Sequence, residues 1–93
     1  ELAAMPVVIV RKGAPEAGSI FIAIRAAHDE VWLMGPPVGP LLDEAGERRF
    51  ELRFDGPVTQ QKVDEYLRRQ AEYDPDIWVI EVEDRSGQAF LRE

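Results

Sequence analysis

Four carboxylates are the first residues whose types and spacing suggest chemistry. Asp74 and Asp76 flank Pro75, and Glu81 and Glu83 alternate along the β-prone run that follows. Oxygen ligands at alternate positions suit magnesium or calcium. Two glutamates on one face of a strand, about 7 Å apart by strand rise, are spaced like the paired carboxylates of glycoside hydrolases. Both patterns fall short. A calcium loop needs a longer ligand series and a central glycine, whereas Trp78 takes the next alternate position here. A glycosidase pair needs a deep cleft, which a chain of 93 residues gives little room to build. The plainer expectation is a helix-to-strand turn, with Asp76 capping it, and a solvated or arginine-paired strand end. Asp74, Asp76, Glu81 and Glu83 are the surface to inspect if the chain carries a small-molecule or metal site.

Other constellations are weaker. His28 is the single histidine, with Asp29 and Glu30 beside it. Neighbours inside one turn rarely aim at a common reacting atom, so His28 reads as an exposed turn residue. Arg48, Arg49 and Arg53, with Arg11, Lys12, Arg68 and Arg69, are the candidate basic surfaces. Acids at Glu47, Glu51, Glu65 and Glu72 interleave with them, which favours ion pairing over an anion site. Residues 13–18 are bounded by glycines but lack the Lys-Ser/Thr and following helix of a phosphate loop. Residues 35–40 hold three prolines and read as a rigid connector. No catalytic residue, cofactor or metal ligand is assigned.

Composition narrows the classes. The chain is one domain of ordinary globular make-up, 45% hydrophobic and 31% charged. It has no cysteine, which excludes disulfides, thiolate metal sites and a cysteine nucleophile. Eighteen acids against 11 bases give a net charge of −7. A field of that sign repels nucleic-acid phosphates and anionic lipid. No apolar run reaches the roughly 18 residues of a membrane span, and residues 1–5 do not resemble a signal peptide. The expectation is a cytoplasmic protein that binds neither nucleic acid nor membrane.

The elements that must position these residues follow from periodicity. Residues 1–5 are compatible with the last turn of a longer N-terminal helix. Residues 7–10, Val-Val-Ile-Val, predict a strand covered on both faces. Residues 13–18 predict a hairpin loop whose glycines take positive φ. In residues 19–25, Ile20, Ile22 and Ile24 point one way and Phe21, Ala23 and Arg25 the other. Residues 31–34 form a third strand after a second hairpin connection. Leu41 and Leu42 are expected against the core. Residues 48–54 alternate cleanly, with Phe50, Leu52 and Phe54 inward. A helix capped by Thr59 runs to Tyr73, burying Val63, Tyr66, Leu67 and Ala71. Asp64–Arg68, Glu65–Arg69 and Arg68–Glu72 sit at ion-pair spacing on its outer side. Residues 77–83 form the next strand, with Trp78, Ile80 and Val82 toward the helix and Ile77 and Val79 needing other cover. A turn with Gly87 left-handed and a short strand at residues 88–91 close the chain.

The fold class is α+β: a mostly antiparallel sheet of five to six strands in the order β-β-β-β-α-β-β, with one main helix on one face. The unit from residue 48 to 83 is expected to place its two strands parallel, by a right-handed crossover. The separated pieces Arg11-Lys12-Gly13-Ala14-Pro15-Glu16-Ala17-Gly18-Ser19-Ile20-Phe21-Ile22, Met34-Gly35-Pro36, Arg48-Arg49-Phe50 and residues 73–87 resemble, in order, the small alphaproteobacterial family known as domain of unknown function 1491. The resemblance covers nearly the whole chain. It implies this fold, a bacterial cytoplasmic setting and an additional amphipathic N-terminal helix, and it supplies no catalytic residue. Without a reaction legible in the residues, the expected role is a non-enzymatic interaction or regulatory module, working through a protein partner or as a homodimer. The alternative is a small-molecule or metal-dependent enzyme using the carboxylates near Asp74–Asp84.

Overall fold

The computed structural model describes residues 6–16, 18–26 and 29–84. His28, the helical turn expected at residues 1–5, the left-handed glycine expected at Gly87 and the strand expected at residues 88–91 lie outside them. The elements are β1 (Val7–Arg11), β2 (Ile20–Arg25), β3 (Val31–Gly35), β4 (Glu51–Leu52), α1 (Gln60–Tyr73) and β5 (Trp78–Glu83). Among the described residues the fold is α+β, an open five-stranded sheet in the order β1-β5-β2-β3-β4 with one helix. All adjacent pairs are antiparallel except β2 and β5.

That order revises the expected connections. β1 and β2 do not form a hairpin, because β5 inserts between them, antiparallel to β1 and parallel to β2. The parallel partner of β5 is therefore β2 and not β4, which lies at the far edge. The glycine-bounded loop serves β5 instead. A Cβ on Gly13 or Gly18 would come within 1.9 Å of the Asp76 carbonyl oxygen, so both glycines are required by close backbone approach. Among the described glycines, positive φ occurs at Gly46. The Ala14 N–H donates to the Asp76 carbonyl at 3.1 Å, and the Trp78 N–H to the Ser19 carbonyl at 2.7 Å. The Trp78 indole N–H donates to the Ala14 carbonyl at 2.8 Å. The loop thus clamps the entry to β5 from two sides.

α1 forms where the apolar spacing and the cap predict it. The Thr59 hydroxyl accepts the Lys62 N–H, and Asp29, from the β2–β3 turn, accepts the Gln60 N–H at 2.9 Å. Two side chains thus satisfy helix donors that lack intrahelical partners, and the second ties the helix start to the sheet. Val63 is fully buried among Phe21, Ala23, Val31, Leu33, Ile77 and Val79, with Tyr66, Leu67 and Ala71 packed around them. Phe54 joins from the chain after β4 and meets the Tyr66 ring edge-on, centroids 5.5 Å apart. On the outer side the expected ion pairs do not close. Asp64 and Glu65 accept instead from Gln60 and Gln61, amides one turn toward the helix N-terminus.

Two stretches depart from the periodicity. Of the alternating run, Glu51–Leu52 pairs with β3, and the Arg53 N–H donates to the Leu33 carbonyl at 2.8 Å. Arg48 and Arg49 turn back on Leu41 and Leu42 through a bridge between Leu42 and Arg48. Leu41 and Leu42 consequently stand exposed, at 43% and 52%, and not against the core. Local backbone pairing across the turn at Gly46 prevails over their apolar character.

Candidate functional site

The four carboxylates are not brought together. Asp74 and Asp76 precede β5, and Glu81 and Glu83 end it, so Asp76 and Glu83 are separated by about 23 Å of extended chain. Asp74 accepts the Asp76 N–H at 3.1 Å, an Asx turn that stops the helix. Asp76 is exposed and contributes its carbonyl to the loop clamp. Glu81 lies 3.8 Å from the Arg25 guanidinium, and Glu83 is exposed at the strand end. Among the described residues, no three His, Cys, Asp or Glu side chains gather to hold a metal ion. The basic residues are dispersed too. Arg49 and Arg53 both approach Glu51, at 3.4 and 3.7 Å, and Arg11 donates to the Pro75 carbonyl at 2.9 Å.

The sheet itself presents the larger feature. Cross-strand partners share a face, so the register assigns each side chain. Phe21, Ala23, Val31, Leu33 and Val79 lie on the helix side. Their neighbours in sequence, Ile20, Ile22 and Ile24, align with Trp78, Ile80 and Val82. Trp32 and Met34 continue that face through β3, and Val7 and Ile9 through β1. Trp78, Ile80 and Val82 therefore point away from the helix, and Ile77 and Val79 toward it, the reverse of the sequence expectation. The strand alternation was read correctly. Its phase relative to the helix is set by the neighbouring strands, and nothing within residues 77–83 encodes it.

No helix among the described residues covers this second face. Val82 and Ile24 are buried on it, while Ile20, Ile22, Trp32, Met34, Trp78 and Ile80 keep intermediate exposure. Toward β1 the exposure rises. Val7, Val8, Ile9 and Val10 are 51–59% exposed, contrary to the expectation of a strand covered on both faces. A depression of about 320 Å³ opens on the same side, with Ile9, Ile20, Trp78 and Ile80 as apolar wall and Glu16 and Arg48 among its lining. A second, of about 250 Å³, lies on the helix side of β1 between Val10, Leu67, Ala71 and Val79. A third, of about 370 Å³, is formed by Phe54, Tyr66, Glu65 and Arg69, with Lys62 over the Phe54 ring at 5.3 Å. Chemically the second face and its β1 edge offer apolar contact and backbone hydrogen bonding, the vocabulary of macromolecular docking.

Comparison with known proteins gives a family and no activity. Residues 1–92 match the family described as "Protein of unknown function (DUF1491)". A protein from A. tumefaciens, solved in solution, is 34% identical with a TM-score of 0.74, covering 88% of this chain and 72% of its own. A DUF1491 family protein from Caulobacter crescentus, solved by crystallography, is 28% identical with a TM-score of 0.70, covering 90% and 75%. Curated proteins yield no match.

Proposed function

The chain belongs to the DUF1491 family of proteins of unknown function, and from that premise we propose that it is a non-enzymatic interaction or regulatory module of the bacterial cytoplasm. Its docking surface is the second sheet face together with the β1 edge. The observation that carries the reading is the run Val7–Val10, four consecutive large apolar residues each more than half exposed, continuous through Ile9 and Ile80 with the apolar face. A contiguous apolar surface of this kind marks an interaction site more often than a solvated wall. The acidic balance of the chain and the dispersal of its arginines weigh against nucleic acid as the partner.

The alternative, an enzyme or metal-dependent binder built on Asp74, Asp76, Glu81 and Glu83, needs those acids in one site, and the two pairs stand at opposite ends of β5. The experiment compares protein retained from a bacterial lysate by the unsubstituted chain and by Val7→Glu and Ile9→Glu, with Tyr73→Glu, on the 87% exposed helix end, as control. The reading expects a specific protein lost with the two β1 variants and kept with the control. Retention indifferent to all three, or a chain that retains nothing and does not self-associate, contradicts it.

A further inference from the structure

The β1 edge specifies more than an apolar surface. The Glu83 N–H donates to the Pro6 carbonyl at 3.1 Å, and the register pairs Val7 with Val82 and Val8 with Glu81. In an antiparallel ladder hydrogen-bonded and non-bonded pairs alternate. Pro6 and Val8 therefore turn their backbone groups toward β5, and Val7 and Ile9 turn theirs outward. The outward set is short. Beyond Ile9 the register shifts toward Arg11, a bulge that ends regular pairing. An edge closed at that end by a bulge discourages open-ended stacking.

We propose that this partner is a second copy of the same chain, joined by antiparallel β1–β1 pairing about a two-fold axis at Val8. The inference rests on the reading of the β1 edge as a docking surface. In this register Val7 of each copy lies opposite Ile9 of the other, and each such pair exchanges both backbone hydrogen bonds. Val8 meets its own counterpart on the axis. Val7 and Ile9 sit on the second sheet face, so pairing makes that apolar face continuous across the two copies. The charges fit this direction. Arg11 and Lys12 lie at one end of β1, and β5 brings Glu83 to the other. The antiparallel arrangement sets the basic end of each β1 beside the acidic end of the partner's β5, about two strand spacings or 10 Å away. That separation slightly exceeds the Debye length of about 8 Å at physiological salt, so the attraction is weak there and grows as salt falls. Parallel pairing would instead set the bases side by side and would not close by a two-fold.

The test is sedimentation equilibrium of the chain over a wide concentration range. The unsubstituted chain is expected to sediment as a monomer–dimer system. Ile9→Pro removes an outward N–H and leaves the β5 pairing intact, as proline is tolerated on such an edge. It is expected to weaken the dimer by at least about tenfold, the loss of its symmetric pair of hydrogen bonds. Val8→Lys, which opposes two cations on the axis, is expected to leave only monomer. Lys12→Glu is expected to weaken association by about threefold, and adding Glu83→Lys to restore it. Unchanged circular dichroism confirms that each variant folds. A chain that stays monomeric at every concentration overturns the second-copy inference, and so does a dimer indifferent to both Ile9→Pro and Val8→Lys. A monomer whose lysate partner is still lost with Val7→Glu and Ile9→Glu would leave the docking reading standing while this inference fails. Loss of both dimer and partner dependence would remove the two together.

Discussion

β1 and β5 are two runs of nearly the same composition with opposite fates. Val-Val-Ile-Val and Ile-Trp-Val-Ile both read as strands that want cover on both faces. β5 lies between β1 and β2, with α1 on one side, and the run from Ile77 to Val82 includes three residues that are 1–5% exposed. Among the described strands β1 lies at the sheet edge, and its four apolar residues are 51–59% exposed. Composition gives β-propensity, and position in the sheet decides burial. The excess apolar surface of β1 is accounted for by docking more readily than by folding.

The contrast can be broken most forcefully at Ile77. Ile77→Ala, at 1% exposure, is expected to destabilise by about 2–5 kcal/mol in urea unfolding, through lost burial and the cavity left beside Val63. The clamp on β5 comes next. Gly18→Ala drives a Cβ into the Asp76 carbonyl, where backbone cannot yield cheaply, and a loss of about 1–3 kcal/mol is expected in the same measurement. Ile9→Ala is the matched counterpart on β1. At 56% exposure it is expected to change monomer stability by less than about 0.5 kcal/mol. A cost comparable with Ile77→Ala would show that β1 is part of the core after all. Smallest of all is Glu81→Gln, which removes the ion pair with the half-exposed Arg25. A thermal melt is expected to register about 0–0.5 kcal/mol, and a larger loss would give Glu81 a role the geometry does not assign.

Much of this was legible in the residues. Thr59 capping, the stripe Val63–Tyr66–Leu67–Ala71 and the turn at Asp74–Pro75 are local signals, and the helix follows them. The five strands follow from the continuous run at residues 7–10 and from β-prone or alternating segments elsewhere, with the alternating run shortened to Glu51–Leu52. What escaped was non-local. Insertion of β5 between β1 and β2 cannot be read from either hairpin-like loop, and it reversed the faces assigned to Trp78 and Val79. Gly13 and Gly18 are required by close approach to the Asp76 carbonyl and not by positive φ, and that neighbour lies more than 55 residues away in sequence. The need for cover on a second sheet face was anticipated, but the residues on it were not. The parity of Ile20, Ile22 and Ile24 against Phe21 was the available clue. The acids drew attention by type, and the geometry disperses them.

Hydrogen exchange at the amides of Val7 and Ile9 reports most directly where the backbone of β1 points. Their N–H groups face away from β5, so in dilute solution they are expected to exchange as fast as an open edge, while Val8 stays protected. As concentration rises, protection at Val7 and Ile9 is expected to grow together and level off at dimer saturation. Rapid exchange at both amides at every concentration, with Ile9→Pro changing nothing, would contradict the account.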